Sequence, residues 1–93
     1  MTMVVKDPGA RVDHGFDWSA AWPDGQAVTA SLWEIAPVEA GGLAIVAAGH
    51  GLTGTTATLA GGMAGHVYRV TNRVTMSDGQ IDERSLTVRV EER

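Results

Sequence analysis

The sequence predicts an all-β chain folded as one antiparallel β-sandwich of about seven strands. Three observations predict it. The 93 residues include eleven Val, nine Thr and twelve Gly but one Lys and five Glu, and β-branched side chains suit a pleated surface. No stretch carries apolar residues at the i, i+3, i+4, i+7 spacing of an amphipathic helix. Short alternating runs are broken by Gly, Pro and Asp clusters roughly every 8–12 residues, as in a sandwich.

The elements follow in order. Val4–Val5 opens a short first strand that Asp7-Pro8-Gly9 breaks. Residues 1–11 are thus read as an N-terminal arm, and 12–93 as the sandwich. Val12, His14, Phe16 and Trp18 alternate with Asp13, Gly15 and Asp17, which predicts a half-buried strand. Trp22-Pro23-Asp24-Gly25 reads as a turn. Residues 27–36 read as the next strand. Trp33 and Ile35 share one face, with Val28 and Leu32 opposite. Apolar residues on both sides predict a bulge or two-sided burial, and Pro37 ends the run. Leu43–Ala47 reads as a short strand after Gly41-Gly42; Ala44–Ala48 could also form a helical turn, which Gly49 and Gly51 argue against extending. Thr55–Ala60 sets Ala57 and Leu59 against Thr56 and Thr58, and Gly61-Gly62 closes it.

The last third alternates most clearly. Over 66–76, His66, Tyr68, Val70, Val74 and Met76 share one face, with Arg69, Thr71, Arg73 and Thr75 on the other. Over 81–91, Leu86, Val88 and Val90 oppose Ser85, Thr87, Arg89 and Glu91. Side-chain parity constrains the hairpin that joins them. A two-residue Asp78-Gly79 loop would pair Val70 with Thr87, an apolar face against a polar one. A three-residue loop of Asp78, Gly79 and Gln80 pairs Val70 with Val88 and Asn72 with Leu86. That loop is a type I turn with a G1 bulge, and it needs Gly79 in the left-handed conformation. A bulge further along the hairpin is the alternative.

Two aromatic positions narrow the class. Tyr68 stands near a strand start, three residues after Gly65. This resembles the tyrosine corner of immunoglobulin-like domains, whose hydroxyl bonds back to the upstream chain. Trp33, on the third strand, is read as the core tryptophan, and Trp18 is a candidate to join it. The pattern is that of an immunoglobulin-like sandwich with its disulfide replaced by apolar residues.

Size and charge set bounds. A chain of 9.7 kDa buries only roughly 60–65% of the surface that it exposes when unfolded. It has no cysteine. Disulfides, thiolate metal sites and Cys nucleophiles are excluded, so stability is expected from packing or from assembly. The formal net charge is −4, which gives no electrostatic reason to expect nucleic acid. No apolar run approaches the ~20 residues of a membrane span, and no signal-peptide pattern is present. The expectation is a soluble protein, either cytoplasmic or part of a soluble assembly. Six of the seven basic residues are Arg, the side chain suited to forked carboxylate contacts.

Chemistry-bearing motifs are few. His14, His50 and His66 have no metal-ligand spacing. The carboxylates include no calcium-loop run, and Asp24 and Asp78 each precede Gly, as turn residues do. Gly61-Gly62-Met63-Ala64-Gly65 lacks the Lys and helix of a phosphate loop. No GxSxG elbow is present. We expect no catalytic residue, no cofactor and no metal.

Contact residues are the remaining candidates. Trp22, in its turn, reads as an interface anchor, half of a sugar-stacking platform, or edge packing. Arg69, Thr71, Arg73 and Thr75 lie beside Ser85, Thr87, Arg89 and Glu91 on an Arg/Thr-rich sheet face. That face is solvated or, because Arg is enriched at interfaces, a subunit contact. Arg84, next to Asp82-Glu83, is placed for a cross-strand ion pair.

Several of these segments together resemble a known family. They are Lys6-Asp7-Pro8, Asp17-Trp18-Ser19, Trp33, Gly61-Gly62, Gly65, Tyr68, Val70-Thr71-Asn72-Arg73 and Asp82-Glu83-Arg84-Ser85-Leu86. Their order and spacing resemble the small phage fiber-tail adaptor proteins, over residues 6 to about 91. The resemblance implies an immunoglobulin-like virion protein, present in multiple copies, that joins the tail tube, baseplate or connector region to tail fibers. It implies neither enzyme nor cofactor.

The expected partners are therefore other virion proteins and further copies in a homo-oligomeric ring, with no nucleic acid and no membrane. The expected location is the virion tail, assembled in the host bacterial cytoplasm. The contact residues expected are Trp22, Arg69, Arg73 and Arg89, with the arm Met1–Lys6 reaching a neighbouring chain. The structural residues are Trp33, Tyr68 and Gly79. The alternative function is a carbohydrate-binding module using Trp22 and a loop aspartate.

Overall fold

Alternation along each strand gives two sheets one apolar side apiece, and those sides close on each other. The computed structural model describes residues 2–19 and 26–92. Among them are seven strands: β1 (Thr2–Lys6), β2 (Val12–Asp17), β3 (Val28–Ala36), β4 (Leu43–His50), β5 (Gly54–Gly61), β6 (Val67–Met76) and β7 (Ile81–Val90). One sheet has the order β1-β7-β6-β3 and the other β2-β5-β4. All pairings are antiparallel except β1 with β7. The protein is an all-β sandwich, as its sequence predicts.

The main core takes Leu43, Ala57 and Leu59 from one sheet and Tyr68, Val70, Leu86, Val88 and Val90 from the other. A smaller cluster of Trp18, Val28, Val74 and Met76 fills one end. Phe16 joins the two clusters. Its ring stacks on Trp33 at 5.8 Å and meets Trp18 edge-on at 6.3 Å. Such ring pairs add to the stabilisation that buried area alone supplies.

Several expectations are corrected. The 76–80 hairpin pairs Val70 with Leu86 and Tyr68 with Val88, not Val70 with Val88. Its loop is Ser77-Asp78-Gly79, because Met76 N–H donates to the Gln80 carbonyl and Gly79 N–H to that of Met76. The three-residue turn with Gly79 at φ +89° is as expected, but one residue earlier. Moving the turn by one residue changes the register by two, so apolar still faces apolar. Strand β4 extends to His50, because Gly49 and His50 still pair with β5. Val28 is buried rather than sharing the outer face of Leu32. The expected bulge lies between Val28 and Ala30 and reverses the parity.

Two inferred positions also shift. His66 precedes β6 and is exposed rather than inward. The arm residues Thr2–Lys6 form a border strand that pairs with β7 of the same chain. Parallel pairing is possible because the whole domain intervenes as the crossover.

Candidate interface

The register fixes which side chains line the outer face of the β1-β7-β6-β3 sheet. Across this face run rows of neighbours. Val5, Arg89 and Val67 form one row, and Met3, Thr87, Arg69 and Ala36 form the next. Ser85, Thr71 and Glu34 follow, then Glu83, Arg73 and Leu32, then Ile81, Thr75 and Ala30. The sequence-predicted Arg/Thr row is thus one face, with the three arginines on it.

The face is more apolar than the alternation of β6 and β7 alone indicates. Met3, Val5, Leu32, Val67 and Ile81 are all exposed, Met3 at 61% and Ile81 at 55%. Three of them come from the flanking strands β1 and β3. Pairing between strands distant in sequence places them here, so no local pattern shows the patch.

Charge on the face is partly compensated. Arg73 Nε lies 3.6 Å from Glu83 Oε2, and Arg89 Nε lies 2.6 Å from Glu91 Oε1. Thr71 and Ser85 hydroxyls meet at 2.8 Å. Arg69 makes no ion pair among the described residues. Its guanidinium therefore remains available to a carboxylate on another protein. Exposed pairs such as Arg73–Glu83 contribute little stability.

The arginine beside Asp82-Glu83 behaves differently from expectation. Arg84 turns inward. Its guanidinium lies 4.5 Å from the Trp18 ring centroid and donates to the Asp17 carbonyl at 2.9 Å. Glu83 pairs instead with Arg73. Arg84 thus caps the aromatic end of the sandwich by a cation–π contact.

The structural residues form two polar centres. Tyr68 is fully buried, and its hydroxyl accepts from Met63 N–H at 3.1 Å and donates to Glu39 Oε1. The hydroxyl does reach back to the upstream chain. His66 Nδ1 sits 2.8 Å from the same Glu39 oxygen. The Tyr68 and His66 hydrogen bonds hold the Glu39 carboxyl below the usual glutamate range. Burial, then the Glu39 carboxylate, push the Tyr68 phenol up.

The second centre was missed in the sequence. Asn72 is wholly buried. Its Oδ1 accepts from Trp18 Nε1 at 3.1 Å and from the Thr55 hydroxyl at 2.6 Å. Its Nδ2 donates to Ser31 Oγ and the Leu32 carbonyl. One side chain therefore ties β6 to β3 and, across the core, to β5. The signal was a polar residue in the inward phase of 66–76. The fully buried tryptophan is Trp18. Trp33 is half-buried, and its Nε1 is buried without a partner.

The sole lysine is also internal. Lys6 is 2% exposed, and its ammonium donates to the Gly61 and Asp7 carbonyls at 2.7 and 2.9 Å. This pins the end of β1 to the end of β5. Burial lowers its pKa, and nearby Asp7 partly offsets that.

Trp22 lies outside the described residues. Among the described residues no pocket opens in the surface, and no three His, Asp or Glu side chains gather as a metal group. Among the described residues no helix is long and apolar enough to cross a membrane.

What the fold offers is a rigid β-sandwich with an Arg-bearing, partly apolar sheet face. Residues 6–89 match the family model of the podophage GP4 fiber-tail adaptor protein gp77. The match spans nearly the whole chain, and the protein belongs to that family, which gives it a structural role in a phage tail. A search of curated proteins finds no relative.

Proposed function

We propose that this protein joins fibers to the tail of a podophage particle, as a non-enzymatic adaptor working through protein–protein contacts. Membership of the fiber-tail adaptor family over residues 6–89 carries the reading. The outer face of the β1-β7-β6-β3 sheet supports it. Arg69, Arg73 and Arg89 stand there among exposed Met3, Val5, Leu32 and Val67. Arg and Met are enriched at protein interfaces, and such a face suits a partner surface that presents carboxylates.

The sandwich is read as immunoglobulin-like. Strands β3-β6-β7 opposite β2-β5-β4 follow the order of the CFG and BED strands of such domains, and Tyr68 supplies the corner. Copies arranged as a ring around the tail, assembled in the host cytoplasm, complete the reading. The net charge of −4 favours protein partners over nucleic acid. Deleting the gene from its phage, then comparing purified particles by electron microscopy and mass spectrometry, tests this. Particles with tails but without fibers are expected. Fiber-bearing, infectious particles lacking the protein would refute it.

A further inference from the structure

Four strands border the two sheets: β1 and β3 in one, β2 and β4 in the other. A free strand edge presents unpaired N–H and C=O groups, and soluble proteins guard such edges with charge, Pro or short length. Three of these borders are guarded. β1 has five residues, β2 exposes Asp13 and Asp17, and β3 exposes Glu34 and stops at Pro37. β4 is not guarded in this way. It runs Leu43-Ala44-Ile45-Val46-Ala47-Ala48-Gly49-His50, with no Lys, Arg, Asp, Glu or Pro.

Among the described residues no strand pairs with β4 on the side away from β5. From Val46 to His50 every residue is exposed. The side chains of Ala47, Ala48 and Gly49 are small, so another backbone can approach to the ~4.8 Å strand spacing without displacing them. The bulge between Ile45 and Ala47 leaves Ala47–His50 in regular pairing with β5. Exposed Val38 and Leu52 stand in the loops before and after the strand.

We propose that the β4 edge pairs antiparallel with β4 of a second copy, so that two three-stranded sheets become one of six strands. Charge and symmetry select this occupant. Two copies carry the same net charge of −4, and of the four border strands β4 alone holds no Lys, Arg, Asp or Glu, so a like copy is opposed least there. A two-fold contact needs a self-complementary patch, and an uncharged edge meets itself with no like charges opposed. Pairing β4 with the β2 edge of a neighbour would set Asp13 and Asp17 against small apolar residues instead. The contact uses the other sheet from the face assigned to tail contacts and does not depend on that reading.

The test is sedimentation of the purified full chain over a concentration series. A monomer–dimer equilibrium is expected. Ala47→Lys and, separately, Val46→Lys raise the dimer dissociation constant by roughly 10–100-fold, as opposed like charges enter the paired edges. Arg11→Ala, an exposed position before β2 and outside both surfaces, leaves it unchanged. Both lysines enter exposed positions, so melting temperature should hold, and whichever variant folds decides the matter. Amide exchange gives a second readout: β4 amides that point away from β5 should gain protection as concentration rises. A chain monomeric at every concentration, a dimer untouched by both lysines, or one without new β4 protection overturns the proposal.

Discussion

The indole N–H of Trp18 reaches Asn72 and Thr55, whereas that of Trp33 reaches no partner. The two tryptophans should therefore respond differently to loss of that N–H. Trp18→Phe removes bonded, fully buried surface and should cost about 2–4 kcal/mol. Trp33→Phe keeps the stack on Phe16 and removes a buried, unpaired donor, so about 1 kcal/mol or less is expected. Urea unfolding of both variants checks the contrast. Asn72→Leu should cost about 3 kcal/mol by the same measurement, since it strands the donors and acceptors of β3, β5 and the Trp18 indole. Glu39 gives a pH dependence. Its folded-state pKa is lowered, so its contribution is present above the ordinary glutamate range and is lost as pH falls through the folded value. Glu39→Gln should narrow the difference between urea midpoints at pH 7 and pH 3. Asp17, shifted the same way by Ser19, leaves a residual acid loss.

Turn chemistry and strand parity govern the elements. Gly79 sits at φ +89°, where a Cβ costs roughly 1–2 kcal/mol. Gly79→Ala should lower stability by about that amount in thermal melts and leave the β6–β7 register unchanged, because the ladder from Val67–Arg89 to Thr75–Ile81 and the packing of Tyr68, Val70, Leu86 and Val88 against the other sheet hold it. This explains how far the elements were legible. Strands 12–17, 67–76 and 81–90 alternate cleanly, and their inward apolar residues could be read directly, whereas inward Asn72 and Arg84 could not. The turn was legible in kind but not in place, since parity admits only even register shifts and so cannot distinguish one from the next. Strand β3 was harder. Its bulge puts Val28 and Trp33 on one face despite their odd spacing, a reversal that depends on how β6 pairs with it. Strand β4 runs through Gly49 to His50, beyond the Ala47 end expected, because β5 supplies the hydrogen bonds.

For the whole molecule, the outer β1-β7-β6-β3 face can be tested without disturbing the fold. Arg69→Ala, Arg73→Ala and Arg89→Ala replace exposed side chains and should each change stability by no more than about 0.5 kcal/mol. Combined in the phage, they should reduce fiber content per particle, measured by quantitative mass spectrometry of purified virions. Unchanged fiber content would place the contact elsewhere on the molecule. The thin core expected for a small chain without disulfides is secured internally by Asn72, Tyr68 and the buried Lys6.

By itself the sequence determined the all-β class, the inward apolar residues of the regular strands, the left-handed turn glycine and the inward tyrosine whose hydroxyl bonds to the chain upstream. Each depends on neighbours within a few residues, where periodicity and backbone stereochemistry act. Only the tertiary structure decided that β1 joins its own β7, that Lys6 is buried, and that Asn72 links three strands. It also decided that Met3 and Leu32 share a face with Arg69. These depend on contacts between segments tens of residues apart, whose pairing the local pattern allows but does not select.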